Sequence, residues 1–461
     1  MRGARIRRVE LGIGSRRAAT VFYYSKQNKY SIHALLGSAE VERPPVDVYL
    51  AEPLEPLSLA RVLRDLAEKY ELLVVAFSFF TTQLEGLLRT FRALERLRKE
   101  GRAVLVAGGP HPSGDPLGTL DLGFDYVVVG EGEWALPALL EALAEGEDPA
   151  IPGVCYRSGA EIVYVPPSSY VDLEKYPPFP LKARMFNPIE VTRGCPFACR
   201  YCQTSYIHGK RPRHRSVECI VRYSELELRA GLRDLRFVSP NALGYGGSLE
   251  PNVGELEDLL RSLRRLADRY GGRVFLGSFP SEVRPDFVDT DLASLLKECV
   301  DNRRVVVGAQ SGSDEVLRRM GRGHTVEDVE IAVEALSRAG FDVDVDFILG
   351  LPGEGEEELK ETLKFMEELV KRGVRIHAHV FMPLPGTPFA RAPPGKLPTW
   401  VKKALYRLIG RGSLFGQWEK QEKLAETIYR LRKRGLIKLE PLPTPRTCPS
   451  QSRKPRRSPG S

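Results

Sequence analysis

The segment VTRGCPFACRYCQTSYIHG, residues 191–209, places Cys195, Cys199 and Cys202 within one short loop. Spacings of four and three residues let the three thiolates converge on a single metal centre. One candidate is a zinc ion, for which His208 is the available fourth ligand. The other is an iron–sulfur cluster of four irons, in which three cysteines leave one iron open to a further ligand. The spacing is compatible with both centres.

This loop stands at the start of a repeated pattern of short apolar runs and helical stretches. The runs cover residues 188–192, 235–239, 274–278, 305–309, 344–349 and 376–382, and the amphipathic stretch 326–340 is typical of the helices between them. Six such units predict a partial (β/α)6 TIM-like barrel over residues 185–390, one that is not fully closed. In such barrels the loops after the strands line the mouth, where we expect the cysteines.

In the N-terminal part of the chain, short apolar runs also alternate with helical stretches. Apolar runs at 18–24, 46–51, 72–80, 103–109 and 126–130 alternate with amphipathic stretches such as 58–70 and 83–101. Because nearly continuous apolar strands indicate burial on both faces, residues 18–150 are predicted to form a doubly wound, Rossmann-like parallel sheet. We therefore expect an α/β protein of two domains, joined by a Pro-rich linker at 151–184 and followed by a small helical region at 391–440.

The charge of the chain is concentrated at its ends. Of a net charge of +8, residues 1–17 contribute six Arg against one Glu, and residues 446–461 contribute four Arg and one Lys. We expect a basic N-terminal segment at 1–17 and a disordered basic tail at 441–461, so nucleic acid would bind only through these tails. No apolar run is long enough to cross a bilayer, and seven scattered cysteines are not typical of a disulfide framework. These features predict a cytoplasmic protein without a membrane partner.

The cysteine segment and three later segments carry a family resemblance. CPFACRYC resembles the CxxxCxφC signature of the radical S-adenosylmethionine superfamily, in which an aromatic residue precedes the last cysteine. Segments similar to other motifs of that family follow in the same order: GAQSGSDEVLRRMGRGHT (308–325), FILGLPGE (347–354) and HVFMPLPGTPF (379–389). The resemblance implies a 4Fe-4S cluster on the three cysteines, S-adenosyl-L-methionine on the open iron, and a one-electron donor such as ferredoxin or flavodoxin. It leaves His208 without a ligand role.

The resemblance also implies which residues surround the cofactor. They follow successive strands: Gly308, Gln310, Ser311, Gly312, Ser313, Arg322, Gly350 and Gly353, with Ser239, Asn241 and Glu282 at the ends of the second and third strands. Glycines allow close backbone approach, short polar side chains offer hydrogen bonds, and Arg322 offers a fork for a carboxylate. Ser239 and Asn241 stand where the family often has a GGE-like segment that holds the amino group of the cofactor.

The N-terminal sheet resembles the cobalamin-binding domain found in one branch of the same superfamily. Ser78 after the third strand, and the pair Gly108 and Gly109 after the fourth, lie where a broad corrin ring would meet the backbone. The DxHxxG motif that places a histidine below cobalt is absent, and SKQNKYS (25–31) stands in its place. His111, together with Glu131 and Glu133 at a helix start, is interpreted as structural.

These resemblances imply an enzyme that reductively cleaves S-adenosylmethionine to a 5′-deoxyadenosyl radical, with cobalamin-dependent methyl transfer to an unactivated carbon as the first interpretation. A tRNA methylthiotransferase is the second, although that family carries three further cluster cysteines and residues 1–190 contain only Cys155. The third is a zinc-stabilised protein that binds nucleic acid through its tails, without catalysis. The sequence has no recognisable signature of the substrate.

Overall fold

The computed structural model describes residues 6–15, 17–167 and 169–443, which form two α/β units in succession. Most of the tail predicted at 441–461 lies outside the described residues, as do residues 1–5 and 16 of the basic N-terminal segment. No helix in the described part of the chain has both the length and the apolarity needed to cross a membrane.

The N-terminal unit is built on a sheet of eight strands. Their bounds are β1 Ile6–Arg8, β2 Ala18–Tyr23, β3 Asp47–Ala51, β4 Leu72–Ser78, β5 Val104–Gly108, β6 Tyr126–Val128, β7 Val154–Ser158 and β8 Glu161–Tyr164. The order in the sheet is β1-β3-β2-β4-β5-β6-β7-β8. Strands β2 to β6 pair in parallel, as predicted, whereas β1, β7 and β8 pair in antiparallel fashion at the two edges. The β7–β8 hairpin lies inside the segment predicted as linker, so the sheet continues to Tyr164.

Helices cover both faces of this sheet. They are α1 Lys29–Glu42, α2 Pro56–Ala67, α3 Leu84–Lys99, α4 Pro110–Gly114, α5 Pro116–Asp121 and α6 Gly132–Glu145, with a 3₁₀ turn at Thr81–Gln83. One face packs on α2 and α3 through side chains such as Leu63 and Leu94, and the other packs on α1 and α6 through Leu36 and Leu139. The two helical layers explain why the strands between them are apolar on both sides.

The second unit contains the six strands predicted for the barrel. The strands are β9 Ile189–Glu190, β10 Thr192–Arg193, β11 Arg213–His214, β12 Asp234–Val238, β13 Arg273–Phe275, β14 Arg304–Gln310, β15 Asp342–Leu349, β16 Arg375–Val380 and β17 Leu414–Phe415. β9, β12 and β13 pair in parallel, β14 to β17 pair in parallel, and a parallel bridge between Val283 and Val307 joins the two sets. The sequence prediction of six barrel strands missed β17, which is a seventh parallel strand. It has only two residues, too few to be recognised as an apolar run.

Helices surround these strands on the outside. They are α7 Thr204–His208, α8 Val217–Arg229, α9 Val253–Tyr270, α10 Thr290–Cys299, α11 Asp314–Met320, α12 Val326–Arg338, α13 Glu356–Lys371, α14 Thr399–Gly410 and α15 Trp418–Lys433, with 3₁₀ turns at Ala242–Gly244 and Pro285–Phe287. Cys219 of α8 and Cys299 of α10 are buried in the barrel core, as expected for small core residues.

Two segments connect the units. Glu40 of α1 accepts backbone hydrogen bonds from Leu181 and Lys182 (2.8 and 2.9 Å), which holds the Pro-rich segment against the N-terminal unit. Helix α15 packs on both cores, since Trp418 lies in the barrel core and Leu431 in the core of the N-terminal sheet. The region predicted at 391–440 is therefore mostly helical and joins the two units.

Candidate functional site

The three cysteines lie in one loop between β10 and α7. The Cys195 N–H donates to the carbonyl oxygen of Gly209 (3.0 Å), and the Ser205 hydroxyl donates to the carbonyl oxygen of Cys195 (2.7 Å). Cys199 is buried, while Cys195 and Cys202 are half-buried. One hydrogen-bonded loop at the barrel mouth thus presents all three thiols, as the sequence predicted.

The three sulfur atoms do not form a compact, preassembled zinc site. Among the described residues, the Sγ atoms of Cys195, Cys199 and Cys202 do not all lie within 4.8 Å of one another. A tetrahedral zinc ion would bring its sulfur ligands to about 3.8 Å of each other, so the three thiols as they stand do not form a closed zinc site. Burial raises the pKa of the Cys195 and Cys202 thiols, so their thiolate forms need a bound cation. His208, the candidate fourth zinc ligand, has its Nδ1 3.4 Å from the Glu131 carboxylate.

Buried donors without a partner lie beside the cysteine loop. The Arg284 guanidinium stacks on Phe197, with Cζ 3.4 Å from the ring centre, and its Nη2 pairs with Asp286 (2.8 Å). Its Nε and Nη1, and Nδ2 of Asn241, have no hydrogen-bond partner among the described residues. The Ser239 hydroxyl donates to the Asn241 carbonyl oxygen (2.7 Å) and holds this turn. Because unpaired buried donors are costly, they fit a ligand with an anionic or carbonyl oxygen, such as the carboxylate of S-adenosylmethionine.

Arg322 connects the cysteine loop to strand β14. Its Nη1 lies 3.8 Å from Sγ of Cys199, its Nη2 donates to the Gly308 carbonyl oxygen (2.7 Å), and its Nε lies 3.0 Å from Nε2 of His324. The fork predicted for a carboxylate is therefore engaged by protein atoms. In this position the positive charge of Arg322 lies beside the sulfur atom of Cys199.

The turn after β14 contains four residues predicted to contact the cofactor. Gln310 has a φ of 72°, in the left-handed region, at an irregularity in the pairing of β14 with β15. Ser311 Oγ lies 3.3 Å from Thr362 Oγ1 of α13 and accepts a bond from the Ser313 N–H (3.2 Å). A Cβ atom on Gly312 would lie 2.7 Å from Cα of Thr362. Packing on α13 thus accounts for Ser311 and Gly312, while Gln310 keeps the strained backbone often found in functional turns.

The glycine motif after β15 is held by a carboxylate that the sequence did not single out. Glu354 accepts from the Gly350 N–H (2.6 Å), and its Oε1 has no partner among the described residues. Burial raises the pKa of Glu354 to about 7. A Cβ atom on Gly350 would lie 3.1 Å from Gly395, and one on Gly353 would lie 2.8 Å from Arg319 Nη1. Both residues have left-handed backbone, with φ of 72° and 81°, which favours glycine within the protein's own fold, and Glu354, the last letter of FILGLPGE, shapes the turn.

A cavity of about 280 Å³ opens at the carboxyl edge of the N-terminal sheet, where it faces the barrel. Ser78, Gly108 and Gly109, the residues predicted to meet cobalamin, all line it. Gly109 has a φ of 90°, and a Cβ atom there would lie 2.6 Å from Ser78 Oγ, so only glycine fits. The inner wall is apolar and includes Phe22, Ala76, Val106, Val128 and Leu136; the barrel side includes Glu190, Arg193 and His208.

His111 is fully buried next to this edge of the sheet. Its Nδ1 lies 3.1 Å from Thr81 Oγ1, its ring stacks on Phe79, and its Nε2 has no partner among the described residues. Burial lowers the pKa of His111 to about 3, so the ring is neutral. These contacts agree with a structural histidine in which one ring nitrogen is unpaired.

A buried ion network joins the N-terminal unit to the first barrel strand, beside the cavity. Arg193 pairs with Glu133 and Glu190 (2.6 Å each) and lies 3.6 Å from Glu131, which also pairs with Arg213 (2.5 Å). Burial opposes ionisation of Glu131, but the basic side chains around it hold its pKa at about 2. Glu131 and Glu133, interpreted from the sequence as residues of a helix start, therefore contact the strand that leads to Cys195. The sequence gives no signal for this contact because it depends on how the units dock.

A second cluster that the sequence did not indicate lies inside the barrel. Asp346 of β15 pairs in register with His377 of β16. His377 Nδ1 lies 3.0 Å from Asp346 Oδ1, and His379 Nε2 lies 3.2 Å from His377 Nδ1. Burial and the Asp346 carboxylate raise the pKa of Glu282 beside them to about 8. The alternation His-Ala-His was the available signal, since alternate strand residues share a face.

Comparisons with known proteins agree with this geometry. The family model of the Radical SAM superfamily matches residues 189–366, and that of the B12 binding domain matches residues 27–140. The chain is 33% identical over 233 residues to tRNA-2-methylthio-N(6)-dimethylallyladenosine synthase of Pelobacter propionicus, an alignment that covers 48% of this chain and 49% of that protein. The chain thus spans about half the length of this curated relative.

Two solved structures have a similar fold over most of this chain. One is the radical S-adenosylmethionine methyltransferase TsrM of Kitasatospora setae with cobalamin and a [4Fe-4S] cluster bound (TM-score 0.62, 20% identity, 81% of this chain and 74% of that chain). The other is the cobalamin-dependent radical enzyme OxsB with aqua-cobalamin bound (TM-score 0.60, 18% identity, 77% and 52%). These likenesses confirm the predicted fold class.

The two family matches also bear on the predicted cofactors. A 4Fe-4S cluster and S-adenosylmethionine belong to the first domain family, and cobalamin belongs to the second. The cofactor prediction is therefore confirmed at the level of the two domains. The chain therefore carries a radical S-adenosylmethionine domain at residues 189–366 and, ahead of it, a B12-binding domain at residues 27–140.

Proposed function

We propose that this chain is a cobalamin-dependent radical S-adenosylmethionine enzyme that transfers a methyl group to an unactivated carbon of its substrate. The observation that supports this function is the cavity between the units. Ser78 and Gly109 line it from the B12-binding domain, and Arg193, two residues before Cys195, lines it from the barrel. A methyl carrier on the sheet edge and a cluster in the cysteine loop would therefore stand next to one another.

The barrel residues have separable roles in this proposal. When bound, the cluster and S-adenosylmethionine supply a 5′-deoxyadenosyl radical, and cobalamin supplies the methyl group. Cys195, Cys199 and Cys202 hold the cluster. The unpaired donors of Asn241 and Arg284 would bind the carboxylate of S-adenosylmethionine.

The residues of the N-terminal edge bind by shape. Gly109 leaves the backbone bare where a side chain would strike Ser78, so a broad flat ring can approach the strand ends. The apolar inner wall, formed in part by Ala76 and Val106, excludes water from whatever occupies the cavity. No histidine is required for this mode of binding, in agreement with the missing DxHxxG motif.

The surface around the cysteine loop suits an acidic electron donor. Arg200, Lys210 and Arg211 are exposed around the loop, as is Tyr206. Positive charge around a redox centre accelerates the encounter with a negatively charged partner. A ferredoxin or flavodoxin is therefore the proposed donor class, and the rate of cluster reduction should fall as the salt concentration rises.

Anaerobic reconstitution tests the proposed function. The protein is loaded with iron and sulfide, then given a chemical reductant and S-adenosylmethionine, with and without cobalamin. We expect about four irons per chain, formation of 5′-deoxyadenosine, and a corrinoid absorption band that stays with the protein on gel filtration.

Two variants with a buried cysteine removed provide the matched comparison. Cys199→Ala should lower both iron content and 5′-deoxyadenosine formation, the latter at least about 100-fold. Cys299→Ala, which removes a buried cysteine of α10 away from the loop, should change neither. Zinc in place of iron, or equal losses in the two variants, would contradict the proposal.

The similarity to the Pelobacter propionicus synthase favours one other candidate, methylthiolation of tRNA. Cys155 is the sole cysteine among residues 1–190 and is fully buried in β7, so this region cannot hold a second cluster on three cysteines. Incubating the reconstituted enzyme with tRNA and analysing the nucleosides by mass spectrometry separates the two candidates. Detection of a methylthio group on tRNA would contradict the proposed methyl transfer and support methylthiolation.

A further inference from the structure

The side chain of Gln203 joins the cysteine loop to two other loops. Gln203 follows Cys202 directly in the chain and stands immediately before α7. Its Nε2 donates to the carbonyl oxygen of Pro110 (3.0 Å) in the N-terminal unit and to that of Pro385 (2.8 Å) after β16. These partners are 93 and 182 residues away in the chain. One side-chain amide therefore connects three distant segments.

The chemistry of these two bonds accounts for a glutamine at this position. A carbonyl oxygen can only accept a hydrogen bond, so the group between two carbonyls must supply two hydrogens. The amide of Gln203 carries both on Nε2, whereas an ionised glutamate of the same shape carries none and would repel both oxygens. Gln203→Glu is therefore a nearly isosteric way to break both bonds.

Pro110 belongs to the loop of the sheet edge that faces the cavity. It follows Gly109, and both residues line the cavity. The loop continues into α4, where the Ser113 N–H donates to the Gly109 carbonyl oxygen (3.0 Å). The Ser113 hydroxyl accepts from the N–H of Gly130 (2.9 Å), another lining residue. A displacement of Pro110 would therefore reach the surface that is proposed to meet the corrin.

The three loops also touch one another through their backbones. Gly114, at the end of α4, packs on the loop after β16, since a Cβ atom on Gly386 would lie 3.0 Å from Cα of Gly114. On the other side of the barrel loop, the Phe389 N–H donates to the carbonyl oxygen of Arg200 in the cysteine loop (3.2 Å). Gln203 thus lies at a close-packed junction, where a change in one loop is felt by the other two.

The state of the cysteines decides how firmly Gln203 is held. As free thiols, Cys195, Cys199 and Cys202 are held only by the hydrogen bonds and packing of their loop. On a common cluster they are also fixed to one another by iron–sulfur bonds, and the neighbouring Gln203 is fixed with Cys202. Binding that restricts one segment lowers the entropic cost of ordering a segment bonded to it.

We propose that Gln203 is a positioning residue that couples the two cofactor sites: when the cysteines hold a cluster, its bond to Pro110 orders residues 109–115 of the sheet edge. The inference rests on the proposed function, in which cobalamin binds at this edge. Because coupling between two binding sites is reciprocal, the cluster raises the affinity for cobalamin by the factor by which cobalamin raises the affinity for the cluster.

Amide hydrogen exchange, followed by mass spectrometry under anaerobic conditions, tests the coupling without a corrinoid. The full chain is compared before and after reconstitution with iron and sulfide. In the unmodified protein the cluster should slow exchange at the amides of residues 109–115 at least about fivefold, the lower end of typical coupling between sites. Gln203→Leu and Gln203→Glu should hold iron but show no slowing at these amides.

The matched control is Gln83→Leu, at the same edge of the sheet. Gln83 Oε1 accepts from the Phe80 N–H (2.9 Å) within its own turn, so the slowing at residues 109–115 should persist in this variant. The proposal is overturned if the cluster leaves exchange unchanged in the unmodified protein, or if the slowing persists in both Gln203 variants. Gln203 variants that no longer hold iron would assign this residue to the folding of the cysteine loop and would overturn it as well.

Equilibrium dialysis with hydroxocobalamin measures the consequence for the second cofactor. The dissociation constant should be at least about fivefold lower for the cluster-loaded protein than for the cluster-free protein, and equal for the two forms of Gln203→Leu. Equal constants in the unmodified protein would contradict the coupling. If no form binds the corrinoid, the proposed function loses its methyl carrier, and the exchange measurement still decides the role of Gln203.

Discussion

The barrel mouth and the edge of the N-terminal sheet differ in the groups that they expose: polar side chains at the mouth and backbone at the edge. At the mouth, Cys199, Asn241 and Arg284 present side-chain atoms, several of which have no partner within the described protein. At the sheet edge, Gly108 and Gly109 present bare backbone in front of an apolar wall. In the proposed function the first region would select its ligand by charge and hydrogen bonding, and the second would select it by shape. Substitutions should therefore act on binding energy at the mouth and on steric fit at the edge.

The largest effect is expected where the two regions meet. Arg193→Met leaves Glu131, Glu133 and Glu190 without their common partner in a buried site, which should lower the free energy of unfolding by about 3 to 5 kcal/mol. Urea unfolding measures the loss. The control is Arg261→Met, whose partner Glu257 is exposed, and about 1 kcal/mol or less is expected there. Equal losses would mean that the interface contributes no more than a surface pair.

The next effect concerns pH and the contact of α1 with the barrel. His33 is buried, its Nδ1 lies 2.6 Å from Asn187 Oδ1, and burial lowers its pKa from 6.5 to about 4. Between these values the unfolded chain binds a proton that the native protein does not, so stability falls as the pH decreases through this window, by up to about 3 kcal/mol. Urea midpoints at pH 7 and pH 4.5 measure the slope. His33→Gln should reduce the change in urea midpoint between pH 7 and pH 4.5. An unchanged difference in this variant would mean that other titrating groups cause the effect.

Steric fit at the sheet edge is tested with two glycines in the left-handed region. Gly109→Ala and Gly123→Ala should each cost about 1 to 2 kcal/mol in backbone strain. Only Gly109 faces a neighbouring side chain, since a Cβ atom on Gly123 would meet no atom of the described residues within 4 Å. The corrinoid band on gel filtration should therefore be lost in Gly109→Ala alone. Retention of the band in both variants would contradict the role given to this edge.

The smallest expected effect is a polar one at the barrel mouth. Asn241→Leu removes an unpaired buried donor and should weaken S-adenosylmethionine binding about tenfold, the usual scale for one hydrogen bond. The control is Asn252→Ala, which removes the cap of α9 and one hydrogen bond to the Gly246 carbonyl oxygen. Equilibrium dialysis with labelled S-adenosylmethionine measures both. Equal affinities in the two variants would remove Asn241 from the binding site.

Features formed by residues close together in the sequence could be predicted, whereas contacts between distant segments could not. The cysteine loop was predictable because its three cysteines are close in sequence, and the parallel strands because their apolar runs are long. Asp346 and His377 could not be paired beforehand, since their contact depends on the register of β15 with β16. The sequence analysis explained Gly312 by close approach of the cofactor. In the structure Gly312 instead packs against Thr362 of α13, 50 residues away in the chain.

The position of α15 has a consequence for how the protein is made. Ile428 and Leu431 of this helix complete the core of the first sheet, and Arg430 pairs with Glu85 of α3 (2.6 Å). Domains generally fold in the order in which the ribosome releases them. Here the B12-binding domain, which precedes the barrel in the chain, lacks part of its core until α15 has emerged. Its apolar face therefore stays exposed during synthesis of the whole barrel, and the two domains reach their final packing together.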